Sequence, residues 1–129
     1  MTQTPTAPPT DASLYELIGG APAVREAVSR LYTYLLADEH LRGYFDGVDV
    51  ATLKGHMAQL LTFVLGGPGT YPVERLQPAH ARLDISGEHF DRTAQYVAGV
   101  LFELHVPMDI ILQIGEILGG VRPLIVAAA

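Results

Sequence analysis

Two histidines, His56 and His80, fall inside one stretch of the chain, DVATLKGHMAQLLTFVLGGPGTYPVERLQPAH, from Asp49 to His80. Neutral imidazole is the commonest metal ligand a protein offers. On a helical wheel His80 lies between Leu76 and Leu83, in the middle of an apolar stripe. A buried histidine needs partners for both ring nitrogens. His80 is therefore either a core residue bonded to a backbone carbonyl or a metal ligand. His56 lies one turn beyond Leu53 and one turn before Leu60, at the edge of its helix's apolar face. It is either a boundary histidine or a second axial ligand. On facing apolar surfaces, the two could bracket a flat, metal-bearing group from both sides.

Tyr32 sits inside another apolar stripe. Such a tyrosine is either core, with its hydroxyl reaching a carbonyl or the surface, or a hydrogen-bond donor to something bound at the metal. Phe45 is either core filler or a platform for a flat aromatic group. His40 and His105 stand at helix ends and are expected in solvent. His89 opens a helix beside Phe90, where it is a first-turn polar residue or a contact to a cofactor carboxylate.

The elements that must position these residues are legible from apolar spacing and caps. Ser13, with Glu16 three residues on, predicts a capped short helix LYELI that stops at Gly19-Gly20. Pro22 marks the first turn of a long helix whose stripe is Val24, Val28, Leu31, Tyr32, Leu35 and Leu36. A turn-like segment, Asp38 to Phe45, follows and ends at Gly47. Asp49 is an N-cap candidate for a helix with Leu53, Met57, Leu60, Leu61 and Val64 on its face, terminated by Gly66-Gly67-Pro68. The linker to Arg75 reads as a loop, and Pro78 to Leu83 as one or two helical turns. Ser86 is expected to cap a further helix with His89, Phe90, Tyr96, Val97, Val100, Leu101 and Leu104 on or near its buried side. Pro107 suits the first turn of the last helix, through Ile110, Ile111, Ile114, Ile117 and Leu118. Gly119-Gly120 and Pro123 are expected to bend or fray its end. Residues 1–12, rich in Thr and Pro, read as a disordered tail, and 13–129 as a single all-α domain.

Composition narrows the function. The 129 residues suit one domain, and 49% are hydrophobic, enough for a core. The formal charge of −6, with no basic run, argues against nucleic acid as a partner. There is no cysteine, which removes disulfides, thiolate zinc, iron–sulfur clusters and thioether-linked haem. The absence of a signal-peptide pattern and of a membrane-length apolar run points to a cytoplasmic protein with no membrane partner. There is no G-x-S-x-G elbow, P-loop or His-Glu-x-x-His pair, and no strand pattern to build a dinucleotide-binding unit.

Taken in order, LYELIGG, AVSRLYTYLLAD, LRGYFDGVD, the helix ending FVLGGP, AHARLDISGEHFD and HVP resemble a truncated haemoglobin of group I, from about Ser13 to Val126. The resemblance implies a two-over-two helical sandwich around one non-covalent b-type haem and its iron. His80 matches the proximal iron ligand, with a carbonyl partner for its other nitrogen. Tyr32 matches the distal tyrosine that hydrogen-bonds the gas ligand, and Phe45 the phenylalanine that packs on the porphyrin. His89 matches a His-Phe pair near the haem edge. Leu53, Lys54, Met57, Leu60, Arg82, Ile85 and Phe90 complete the implied haem contacts. His56 matches a position that supplies a second axial histidine in some cyanobacterial members. Met57 stands where the family often has Gln, which leaves Tyr32 as the sole distal donor. Leu61 replaces a bulky aromatic of some members. The absence of Trp speaks against group II, and no histidine near the C-terminus is placed for a covalent haem link.

The function so implied is binding of O2, NO and CO at iron, with NO dioxygenation or weak peroxidase activity as enzymatic outlets and an unidentified reductase as electron source. The alternative is a six-coordinate haem protein for electron transfer or for redox or gas sensing. A cofactor-free helical interaction module ranks last. A monomer or weak dimer is expected.

Overall fold

The computed structural model of this protein describes residues 13–69 and 85–126. The expected tail, the loop after Gly69 and the helical turns Pro78 to Leu83, with His80 and Arg82, lie outside the described residues. Among those described there are five α-helices, one 3-10 helix and no strand. They are α1 (Leu14–Ile18), α2 (Gly20–Ala37), the 3-10 helix Arg42–Phe45, α3 (Val50–Val64), α4 (Gly87–Glu103) and α5 (Met108–Ile125).

The caps expected from sequence form. Ser13 Oγ accepts from the Glu16 backbone N–H at 3.1 Å, and Glu16 Oε1 accepts from the Ser13 N–H at 3.2 Å. Asp49 Oδ1 accepts from the Ala51 N–H at 3.2 Å, and Ser86 Oγ accepts from the His89 N–H at 3.0 Å. Gly19, at φ 118°, lets the chain leave α1 and enter α2 within one residue.

Helix α2 is the spine. It packs across α3 and α4, and α4 packs along α5, which gives the two-over-two sandwich. Val24, Ala27, Val28, Leu31, Tyr32 and Leu35 are its buried face. Leu36, assigned to that stripe from sequence, is 39% exposed, because it falls past the edge of the face that Val24 and Leu35 centre. Leu31, Val100 and Ile114 are the largest fully buried side chains. Around them a small apolar cavity of about 20 Å³ remains, bounded by Val24, Leu31, Leu61, Leu65, Val100 and Ile114. By the same measure one water needs about 10–15 Å³.

Two expectations for α5 are corrected. Pro107 is the N-cap and not the first helical residue. The helix also runs through Gly119-Gly120 and Pro123 to Ile125. The carbonyl four residues before Pro123 belongs to Gly119, and Pro123 lies in the last turn, where little helix remains to disrupt. Arg122 holds that end down. Its Nε lies 3.3 Å from Asp91 Oδ1, and its guanidinium lies 5.9 Å from the Phe90 ring centre.

Candidate functional site

Tyr32 projects from the last third of α2 and is only 3% exposed. The Phe45 ring meets it edge-on, with ring centres 5.6 Å apart and planes at 68°. Burial pushes the Tyr32 hydroxyl up to about pKa 12, so it stays a protonated donor. Among the described residues that hydroxyl has no hydrogen-bond partner. Leaving a buried hydroxyl unpaired costs about 1–3 kcal/mol, so its surroundings suit a ligand that accepts a hydrogen bond.

Helix α3 forms the adjoining wall. Leu53 and Met57 are half-buried and pack with Phe45 against the core cluster that contains Tyr32, and Leu60 and Leu61 are buried. Lys54 is half-buried, and His56 is exposed on the same helix. The structure thus brings Tyr32 and Phe45 into contact and packs Leu53 and Met57 on the same core cluster, while His56 faces solvent on α3.

The 3-10 helix that carries Phe45 is held by a residue that sequence reasoning passed over. Asp38 caps the end of α2, and its side chain is 2% exposed. Its carboxylate accepts from Arg92 Nε at 2.7 Å, from the Tyr96 hydroxyl at 2.6 Å and from the His40 N–H at 2.7 Å. Its backbone carbonyl accepts from Leu41 and Arg42 N–H at 3.1 and 2.9 Å. The hydrogen bonds from Tyr96 and Arg92 hold the Asp38 carboxyl well below the usual carboxylate range. One carboxylate therefore ties α2, the turn carrying Phe45 and α4 together. The available signal was an acid directly after an apolar stripe, with Arg92 and Tyr96 four residues apart on one helix face.

On α4 the structure gives His89 a partner. Its Nδ1 lies 2.6 Å from the Tyr44 hydroxyl, with the rings edge-to-face at 5.6 Å. Only the other ring nitrogen is left for a cofactor. Ile85 and Phe90 are half-buried at the start of the same helix.

The two-over-two helical sandwich, with Tyr32 buried on α2 against the Phe45 ring, has the architecture of a globin. The family model of bacterial-like globins matches residues 13–117. A group 1 truncated hemoglobin GlbN of Synechocystis sp. is 34% identical over 113 residues, covering 84% of this chain and 91% of that one. A second GlbN, of Mycolicibacterium paratuberculosis, is 35% identical over 113 residues, covering 88% and 81%. Among solved structures, the truncated hemoglobin of Tetrahymena pyriformis in its Fe(III) form superposes with a TM-score of 0.85 at 28% identity, over 91% of this chain and all (100%) of that one. The 2/2 hemoglobin of Synechococcus sp., in the cyanomet state and with covalently attached heme, superposes with a TM-score of 0.83 at 35% identity, covering 88% and 98%. The chain belongs to the bacterial-like globin family, as a truncated haemoglobin of group 1. Membership carries with it haem, iron and the binding of diatomic gas.

Proposed function

We propose that this globin binds O2 and NO in the Tyr32 pocket and serves to convert NO to nitrate, with CO as an unreactive competitor. The observation that carries this is the buried Tyr32 hydroxyl, which has no hydrogen-bond partner among the described residues. When bound, haem supplies the iron that takes the gas and exchanges electrons with it. The chain does the rest. His80, by the family resemblance, would hold the iron. Tyr32 donates to the gas ligand, and a ligand that gains negative charge strengthens that bond. Phe45 would pack against the group, and Leu53, Met57, Leu60, Ile85 and Phe90 would help to keep water from it. Lys54 and Arg82 are the cations suited to its carboxylates, and His89 offers its one free nitrogen at the edge. The group is taken as non-covalently bound, the usual form in the family, and with no cysteine in the chain thioether attachment is excluded. An apolar wall of this kind admits a small gas and offers no site to a large polar substrate. A reductase must return the iron to its ferrous state between cycles. The protein acts as a monomer or weak dimer.

A second reading has the same haem six-coordinate at rest and serving electron transfer or sensing. It is favoured by His56, which stands one helical turn from both Leu53 and Leu60. Its exposed side chain must turn inward to reach the iron, so gas and His56 compete for one position. Absorbance spectra of the purified protein in the ferric, ferrous and CO-bound states test both readings. A Soret band that shifts with CO is expected, and a colourless protein overturns the haem assignment. His56→Leu should convert a low-spin ferric spectrum to high-spin. An unchanged low-spin spectrum removes His56 as the ligand.

A further inference from the structure

Oxidising a tyrosine by one electron turns its hydroxyl into a strong acid. The electron therefore leaves readily only where a base already sits on the O–H. By that criterion the tyrosines are not equivalent. The sequence has six, of which Tyr15, Tyr32, Tyr34, Tyr44 and Tyr96 lie among the described residues. Tyr32 has no acceptor among those residues, and its environment holds the proton on. Tyr34 and Tyr96 stack, with ring centres 5.8 Å apart and planes at 9°. Both donate to carboxylates, Tyr34 to Glu103 and Tyr96 to Asp38. A carboxylate is a weak base, and the Asp38 carboxyl is held weaker still by the hydrogen bonds from Tyr96 and Arg92. Tyr44 alone of these five bonds to an imidazole, His89 Nδ1, at 2.6 Å. Imidazole has an ordinary pKa of about 6.5, against about 4 for a carboxylate.

Position points the same way. Tyr44 precedes Phe45 in the 3-10 helix, and Phe45 edges onto Tyr32. His89 enters from α4, next to Phe90. The pair thus bridges two elements that frame the proposed pocket, and both side chains are half-buried. The exposed His40 ring lies 6.5 Å from His89, with Glu39 Oε1 3.7 Å from its Nε2, so titratable groups continue from the pair to solvent.

We propose that Tyr44 and His89 form a proton-coupled electron relay that couples peroxide reduction at the haem to oxidation of small phenols in solution. The proposal rests on the haem reading above. In the relay, the Tyr44 O–H bond breaks. The electron passes to the peroxide-oxidised cofactor and the proton to Nδ1 of His89, in its Nε2–H tautomer, leaving a neutral tyrosyl radical beside an imidazolium. An external phenol then gives its O–H hydrogen to the Tyr44 oxygen, and His89 releases its proton. Over one turnover, one hydrogen peroxide and two phenols give two waters and two phenoxyl radicals.

The test is freeze-quench electron paramagnetic resonance of the haem-loaded protein mixed with hydrogen peroxide, with an absorbance spectrum of the same sample. The wild type should show a tyrosyl signal. Tyr44→Phe should lose it, and His89→Gln, which keeps the phenol but removes the base, should lose it too. Tyr34→Phe should leave it unchanged. Peroxide-driven oxidation of guaiacol should fall in the first two variants and not in the third. A tyrosyl signal that persists in Tyr44→Phe, or at wild-type yield in His89→Gln, overturns the relay while leaving the haem reading intact. A sample whose spectrum shows no haem overturns both.

Discussion

At the scale of single residues, Tyr32 has its fate set by burial and by what lies within reach. The hydroxyl sits where only 3% of the residue is exposed, and no group among the described residues bonds to it. Two consequences follow for Tyr32→Phe. The empty protein should be no less stable, since the lost group has no partner among the described residues. The O2 complex should lose a hydrogen bond to a charged acceptor, worth about 1.5–3 kcal/mol, which is roughly ten- to hundredfold in O2 dissociation rate. Stopped-flow displacement of O2 by CO measures that rate, and an unchanged value removes Tyr32 from its role. Met57 sharpens the expectation. It is half-buried against the core cluster and has no donor to offer, so under the proposed reading the loss in Tyr32→Phe should not be made good from this position.

At the scale of elements, glycines with different surroundings predict opposite responses. The junction of α1 with the end of α3 is tight. The Tyr15 N–H donates to the Leu65 carbonyl at 2.9 Å, and a Cβ placed on Gly67 would lie 2.7 Å from the Tyr15 ring and 2.8 Å from Thr62 Cγ2. Gly67→Ala should therefore cost about 1–3 kcal/mol of overpacking. Gly55 lies exposed inside α3, and a Cβ placed there would meet nothing within 4 Å. Gly55→Ala should stabilise by about 0.5–1 kcal/mol through helix propensity. Urea titration of the two variants checks both signs. If Gly67→Ala is neutral, α1 is not docked as described.

At the scale of the whole molecule, Asp38 sets the response to acid. Its folded pKa lies below the unfolded value of about 3.9, so its stabilising contribution is fully present above that pH. The contribution is lost as pH falls through the window beneath it, when the carboxylate is protonated and releases Arg92 and Tyr96. The Tyr96 hydroxyl is raised by the same bond, so from that side stability is present below about pH 10 and lost as pH climbs past it. Asp38→Asn should lower Tm at neutral pH and flatten its decline below about pH 4. A calorimetric series across that range reads it, and parallel wild-type and variant curves would mean the clasp contributes nothing. Because Asp38 also anchors the turn carrying Phe45 and Tyr44, the variant reports on the pocket as well.

Local chemistry was enough to determine much of this protein. Ser13, Asp49 and Ser86 cap where their side-chain oxygens meet orphan N–H groups, and the apolar period along α2, α3 and α4 marks their buried faces. These interactions span three or four residues, so their signal survives in one dimension. The order of those pieces along the chain carried the globin resemblance, and with it the expectations for Tyr32, Phe45 and His80. Tertiary structure alone decided the contacts between residues far apart in sequence. Leu36 left the core because the centre of the α2 face depends on where α3 and α4 press. The end of α5 stayed helical past Gly119-Gly120, and there Arg122 reaches Asp91 and Phe90 on another helix. Asp38 became the clasp, and Tyr44 the partner of His89, across 54 and 45 residues of chain. Such pairs cannot be read from spacing, since loop closure over tens of residues leaves many pairings open until the packed helices select one.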